Sequence, residues 1–129
     1  MDSLTKIDPK LLALIEHSFN NNLPMPFVKE IFLIESQVAG TAYHNLKEIE
    51  PYINIADNMV FIREPENQYD NKAIAIMDVK GNRLGYIPKE KNEILANLLD
   101  AGKLIFGKLE HKQWLGDWLK LKIKVYLRD

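Results

Sequence analysis

A polar connection of nine residues holds the side chains best suited to chemistry in this sequence. It runs from Arg63 to Asn71 (REPENQYDN) and places Tyr69 next to Asp70. A simple hairpin needs only about two to five linking residues, so this length is typical of a functional loop. Tyr69 could stack on a base, and Asp70 could accept a hydrogen bond from a sugar hydroxyl or hold a neighbouring base. The alternative is an Asx-type turn in which Asp70 or Asn71 bonds its own backbone.

The last predicted strand carries a second candidate surface. Successive strand side chains point to opposite faces, which puts an apolar set on one face: Leu119, Leu121, Ile123, Val125 and Leu127. The other face holds lysines between two aromatics: Trp118, Lys120, Lys122, Lys124 and Tyr126. Such a face suits a nucleic-acid backbone, with phosphates on the ammonium groups and bases on the rings. The alternative is a solvated face whose lysines discourage edge-to-edge aggregation.

A third candidate lies where a predicted strand runs into a helix, at residues 84–90 (LGYIPKE). Amide groups at a helix N-terminus attract phosphate, and Lys89 adds a positive charge there. Gly85 would let a ligand or another strand approach closely. Proline and lysine at a helix start also occur for structural reasons alone, so this motif by itself leaves the anion site open.

The elements that must position these residues are mainly strands. Period-two alternation and β-branched or aromatic residues predict six of them, at residues 28–38, 59–64, 72–79, 83–87, 103–111 and 117–127. Gly40 marks a bulge or bend at the end of the first strand, and a turn centred on Gly81 joins the third to the fourth. Six short strands in one small domain favour a barrel or a strongly curled sheet.

Two helices accompany the strands. One begins at Pro88, after the fourth strand, and Gly102 ends it. The other covers residues 8–20, where Asp8 is placed to cap it. Residues 44–57 show only a short helical turn that ends before Pro51. The fold class is therefore mostly β with helices (α+β), a six-stranded β-barrel with one helix inserted after strand 4 and an added N-terminal helix.

Composition limits what these candidates can do. The chain of 129 residues has a net charge of −1 and no cysteine, which excludes disulfides, thiolate zinc sites and cysteine nucleophiles. Duplex binding that relies on many phosphates needs a basic field, so any nucleic-acid site must be a local patch or pocket. No apolar run approaches the roughly 20 residues of a membrane helix, and no secretory signal pattern opens the chain. We expect a cytoplasmic protein.

Enzyme motifs find no match in the sequence. His17, His44 and His111 form neither HxxxH nor HExxH, and neither GxSxG nor GxxxxGK[ST] occurs. Glu64, Glu66 and Asp70 could form a divalent-metal cluster on one loop, but loop carboxylates are usually solvated and the EF-hand spacing is missing. We therefore expect no enzymatic activity, no cofactor and no metal.

Three segments taken together resemble the HIRAN domain. They are residues 38–43 (VAGTAY), 63–74 (REPENQYDNKAI) and 81–90 (GNRLGYIPKE), in this order. The resemblance runs from about Ile31 to Leu109, and the last strand completes the domain. It implies a small OB-like β-barrel, fused to DNA-repair and chromatin-type helicases in eukaryotes. In bacteria the domain stands alone or is fused to other partners, and this chain resembles the stand-alone bacterial form.

The resemblance also implies roles for single residues. The family captures single-stranded DNA, especially a free 3′ end, in a pocket of aromatics, an aspartate and basic groups. By motif, Tyr43 and Tyr69 would sandwich bases, Asp70 would accept a hydrogen bond from the 3′-hydroxyl, and Lys89 would contact phosphate. Tyr86 would form part of the pocket wall. Arg63, which leads the loop, is a further candidate nucleic-acid contact.

The predicted organisation is an accessory helix and linker over residues 1–27 and a HIRAN-like barrel over residues 28–129. The expected partner is single-stranded DNA, with a separately encoded helicase or nuclease as a second partner. The alternative function is a protein-interaction module that uses the same barrel face. The low net charge favours this alternative, as does Ala42, which stands where DNA-binding members can have a basic residue.

Overall fold

The computed structural model describes residues 29–129, which are organised around one antiparallel sheet. Its strands are β1 (Glu30–Gln37), β2 (Asn58–Arg63), β3 (Ile74–Met77), β4 (Arg83–Tyr86), β5 (Leu104–Leu115) and β6 (Trp118–Arg128). One helix, α1 (Lys89–Asp100), follows β4, and the order across the sheet is β1-β6-β5-β2-β3-β4. The six predicted strands and the inserted helix are confirmed. The predicted helix over residues 8–20 lies outside the described residues.

Two short 3-10 turns occupy the connection between β1 and β2, at Thr41–Tyr43 and Glu50–Tyr52. Gly40 precedes the first with a φ of 76°, which confirms the predicted bend and suits a residue without a Cβ. The prediction that a helical turn ends before Pro51 is wrong, because Pro51 lies inside the second turn. In the first turn of a helix the backbone N–H groups have no partner within the helix, so proline loses no hydrogen bond there. The φ angle that its ring fixes also suits a helix.

The sheet curls until its two edges meet just after β1. Ala39 N donates to Tyr86 O at 2.8 Å, and Tyr86 N donates to Ala39 O at 2.8 Å. Val38 N donates to Leu121 O at 2.9 Å, so the same segment also extends the pairing with β6. The predicted barrel is therefore a curled six-stranded sheet that is bridged at Ala39.

Gly85 permits this bridge. A Cβ built at this position would lie 2.3 Å from Ala39 O and 2.7 Å from Val38 Cγ1. Real side-chain atoms do not approach backbone so closely, so β4 needs a glycine here. Of the two explanations that the sequence allowed for Gly85, close approach of another backbone segment is the one that the structure shows.

The core lies inside the curl. The alternation of β6 is confirmed, since Leu119, Leu121, Ile123 and Val125 are each at most 2% exposed. Burial of such side chains stabilises the fold by about 1.5–3 kcal/mol each relative to full exposure. From α1, Leu95 and Ala96 join the same cluster, which fixes the helix against the sheet. Within residues 29–129, no helix has the length and apolar character to cross a membrane.

Candidate nucleic-acid interface

A cleft of about 800 Å³ lies beside the bridge between β4 and the segment after β1. Five of the predicted site residues line it: Tyr43, Tyr69, Asp70, Tyr86 and Lys89. They come from the first 3-10 turn, the β2–β3 loop, β4 and the start of α1. The remaining lining residues are Ala39, Gly40, His44, Asn67, Ala73, Ile87 and Asn92. Folding therefore brings the three motif segments to one place.

Two tyrosine side chains at this cleft are almost fully exposed to solvent. Tyr43 is 90% exposed and Tyr69 is 83% exposed. Large aromatic side chains are usually well buried on average, so two such rings at one cleft are unusual for structural residues. Their faces are available for stacking on planar ligands, which is the way aromatic platforms hold bases.

Asn67 organises the loop that carries Tyr69. Its Oδ1 accepts hydrogen bonds from Tyr69 N at 2.9 Å and Asp70 N at 3.1 Å. Its Nδ2 donates to Glu64 Oε1 at 3.1 Å. These bonds form an Asx turn that fixes the loop backbone before any ligand arrives. Sequence reasoning missed Asn67 as a site residue, although an asparagine two positions before the tyrosine is the usual signal for such a turn.

Asp70 is held as an ionised acceptor. Its Oδ1 accepts from Lys72 N at 2.9 Å, and its Oδ2 accepts from Asn92 Nδ2 at 2.7 Å. The Lys72 amide first, then Asn92, lower the pKa of Asp70 below its ordinary value. The charges of Lys89 and Arg63 act in the same direction, and desolvation opposes them. The Asx-type turn considered from the sequence is therefore present, yet each carboxylate oxygen keeps a second lone pair for a ligand.

Asn92 is a further site residue that sequence reasoning missed. It lies on α1, it is 3% exposed, and its side chain reaches the Asp70 carboxylate. A buried amide needs a hydrogen-bond partner, and here that partner is a residue of the cleft. Nothing in the local sequence signals this contact, because 22 positions separate the two residues.

Tyr86 forms a rigid part of the cleft wall. Its hydroxyl donates to Glu64 Oε1 at 2.8 Å and accepts a short hydrogen bond from the Arg83 guanidinium. Arg83 also pairs with Glu64 Oε2 at 2.8 Å. Desolvation raises the pKa of Tyr86, and the hydrogen bond to Glu64 adds to this effect. The hydroxyl is therefore protonated and engaged, which leaves the ring as the part of Tyr86 that can serve a ligand.

His44 also lines the cleft, between Tyr43 and the second 3-10 turn. Desolvation by burial, and then the positive charge of Arg83, lowers the pKa of its imidazole below the ordinary value. His44 is therefore a neutral group at pH 7. Within residues 29–129, no cluster of three histidine or carboxylate side chains could hold a metal ion.

Arg63 does not line the cleft. Its Nε donates to Asp100 Oδ1 at 2.9 Å and its Nη2 to Asp100 Oδ2 at 3.1 Å, while Nη1 donates to Ala73 O at 3.0 Å. The guanidinium therefore ties both ends of the β2–β3 loop to the end of α1. Its placement is that of a loop anchor, whereas a direct nucleic-acid contact remains a prediction.

The β6 residues of the predicted site lie on the outward face of the strand and do not line the cleft. Lys124 Nζ is 3.9 Å from Glu110 Oε1, and Trp118 is 41% exposed. Tyr126, which the sequence placed on the same face, packs between Phe32 and Phe106 with ring centroids 5.8 Å and 5.7 Å away. Of the two aromatic side chains on this face, Trp118 is thus the more exposed to solvent.

A family model for the HIRAN domain matches residues 31–128 of the chain. The chain belongs to the HIRAN domain family. The match covers α1 and all six strands apart from Glu30, which confirms the resemblance drawn from the three motif segments.

The HIRAN match extends to two much longer proteins. The chain is 33% identical over 70 residues to a helicase-like transcription factor of Oryctolagus cuniculus, covering 52% of this chain and 7% of that protein. It is 30% identical over 73 residues to a Fanconi-associated nuclease 1 homolog of Arabidopsis thaliana, covering 57% of this chain and 8% of that protein. The chain thus spans less than a tenth of these curated relatives.

Two solved structures share the HIRAN fold. A protein from Lactobacillus plantarum matches with a TM-score of 0.73 at 22% identity, covering 79% of this chain and 98% of that chain. The HIRAN domain of human HLTF matches with a TM-score of 0.61 at 22% identity, covering 77% and 78%. At this identity the two matches support the curled-sheet architecture alone.

Proposed function

We propose that this HIRAN domain is a non-catalytic nucleic-acid-binding module whose cleft captures the free 3′ end of single-stranded DNA. One observation carries the proposal. An ionised carboxylate, already held by two protein donors, lies in the same cleft as two tyrosine rings that are more than four-fifths exposed. Stacking surfaces beside a fixed hydrogen-bond acceptor suit a nucleotide that ends in a hydroxyl.

In the proposed complex, Tyr43 and Tyr69 stack on the last bases of the strand. Asp70 accepts a hydrogen bond from the terminal 3′-hydroxyl through its remaining lone pairs. Lys89 is the first residue of α1, so its ammonium group and the positive end of the helix dipole both favour a phosphate at the cleft. A short ligand held in this way needs few phosphate contacts, which is compatible with a net charge of −1.

The relatives support a DNA-related setting for this activity. One is described as a helicase-like transcription factor and another as a homolog of a Fanconi-associated nuclease. We propose a role in DNA repair or processing, in which the domain presents strand ends to a helicase or nuclease.

Fluorescence anisotropy with labelled oligonucleotides tests end recognition. We expect tighter binding to an oligonucleotide with a free 3′-hydroxyl than to the same strand with a 3′-phosphate, because the phosphate would face the Asp70 carboxylate. Asp70→Asn should weaken binding to the probe with the free 3′-hydroxyl. It should therefore reduce the difference in affinity between the two probes. Equal affinity of the wild-type protein for both probes would show that the cleft does not recognise the end.

Tyr69→Ala tests base stacking. Loss of a stacked base should weaken binding by about 1–3 kcal/mol. Tyr52→Ala is the matched control, since Tyr52 is also exposed, at 69%, but lies outside the cleft. An equal effect of both substitutions would contradict stacking at Tyr69. A folded wild-type protein that binds no oligonucleotide would favour the protein-interaction alternative.

A further inference from the structure

The outward face of β6 begins at the border of the cleft. Gln37 pairs with Lys122, and Val38 N donates to Leu121 O at 2.9 Å. Extending this antiparallel register by one residue brings Ala39 opposite Lys120. Ala39 lines the cleft. Lys120 is therefore the point at which the β6 face and the cleft meet.

The side-chain directions agree with this placement. Leu119 and Leu121 are buried in the core, so Lys120 between them points outward. Thr41 Oγ1 donates to Leu119 O at 2.7 Å, which ties the turn that carries Tyr43 to the same stretch of β6. Hydrogen bonds thus connect the cleft wall to the stretch of β6 that carries Lys120.

Two lysines on this face, Lys120 and Lys122, form no ion pair, although Glu110 lies in a β-bulge of β5 next to the residue that faces Lys122. Lys120 faces Gln113 on β5, and Lys122 faces His111 on β5 and Gln37 on β1. Within residues 29–129, neither lysine forms an ion pair. Both ammonium groups are therefore available to an anionic partner.

The positive face ends one lysine further along. Lys124 faces Glu35 on β1 and lies 3.9 Å from Glu110 Oε1. These carboxylates offset its charge and would repel a phosphate. The lysines of this face that form no ion pair within residues 29–129 are thus Lys120 and Lys122, next to the cleft.

We propose that Lys120 and Lys122 bind the phosphates of nucleotides that precede the captured end. The inference rests on the proposed function and assigns a path to the rest of the strand, out of the cleft across Ala39 and along β6. Residues two positions apart in a strand are about 6.5–7 Å apart, so the two ammonium groups form a short line along an extended backbone. Single-strand binders combine such a basic track with a stacking site.

The test compares a trinucleotide with an oligonucleotide of about twelve nucleotides, both with free 3′ ends. The variant is the double substitution Lys120→Gln and Lys122→Gln. Its affinity for the longer probe should fall on the order of tenfold, and the slope of log K against log salt should drop by roughly 1.4, since each phosphate contributes about 0.7 for single strands. Its affinity for the trinucleotide, which only fills the cleft, should stay unchanged.

Lys80→Gln with Lys103→Gln is the matched control, because it removes the same charge from exposed positions that do not line the cleft. The inference alone is wrong if wild-type binding depends on the 3′ end but the β6 variant binds the longer probe as well as the control does. It is also wrong if the β6 variant loses affinity for both probes equally. Wild-type binding that ignores a blocked 3′ end overturns the proposed function, and the inference with it.

Discussion

Gly85→Ala tests whether the cleft depends on the close contact between β4 and the segment after β1. The new Cβ would lie 2.3 Å from Ala39 O, whereas ordinary van der Waals contact begins at 3.4 Å. The two backbones must therefore separate by about 1 Å. Both 2.8 Å hydrogen bonds between Ala39 and Tyr86 would then lengthen or break.

The expected cost follows from these contacts. Each hydrogen bond contributes about 0.5–1.5 kcal/mol, and forcing a methyl group into a packed site costs about 1–3 kcal/mol. We expect Gly85→Ala to lower the free energy of unfolding by about 2–6 kcal/mol, out of about 5–15 kcal/mol for a typical domain. Urea unfolding followed by the fluorescence of Trp114 and Trp118 measures the change. Because Ala39 and Tyr86 line the cleft, the folded fraction should also bind oligonucleotide more weakly.

Gly81→Ala is the matched control. Gly81 has a φ of +91° but no atom within 4 Å of the added Cβ, so the substitution brings backbone strain of about 1–2 kcal/mol without a clash. A Gly85→Ala protein that is no less stable than Gly81→Ala would refute the link between the glycine and the bridge. Unchanged oligonucleotide affinity in a destabilised Gly85→Ala protein would refute the link between the bridge and the cleft.

Three further predictions concern the groups around the cleft. Asn92→Leu removes a donor to the Asp70 carboxylate and should weaken oligonucleotide binding roughly fivefold in anisotropy titrations; unchanged affinity would show that Asn92 does not position Asp70. Arg63→Ala breaks the contact with Asp100, which anchors the loop that carries Tyr69, and should lower both the urea midpoint and the oligonucleotide affinity; an affinity loss with an unchanged urea midpoint would make Arg63 a direct contact. Desolvation raises the pKa of Glu64, but hydrogen bonds from Asn67 and Tyr86 and the positive charge of Arg83 outweigh it and lower the pKa overall. The Glu64 carboxylate therefore stabilises the fold fully above the unfolded pKa of about 4.3. This stabilisation is lost as pH falls through the lower pKa of the folded state. Urea midpoints across this range should therefore fall less steeply in Glu64→Gln, and equal slopes would contradict this.

Much of the fold could be predicted from the sequence because strand periodicity is local. The alternation from Trp118 to Leu127 defines both faces of β6 without reference to any partner, and it reappears in the buried and outward residues of that strand. The errors fall where local rules compete. Pro51 predicts the end of a helical turn, yet it lies inside the second 3-10 turn, since proline suits the first turn of a helix as well as the position after its end.

The candidate site likewise has features that the sequence predicts and features that depend on the tertiary structure. The sequence by itself determined which residue types could serve a nucleic acid, and motif order brought Tyr43, Tyr69, Asp70, Tyr86 and Lys89 into one family pattern. Only the tertiary structure decided which of the candidates share a cleft. It joined Asn92 to Asp70 across 22 residues and directed Arg63 to Asp100 across 37 residues. It also joined Ala39 to Tyr86 and Val38 to Leu121, because the curl of the sheet brings distant segments together. Such long-range pairing depends on the packing of the whole sheet, which no local pattern encodes.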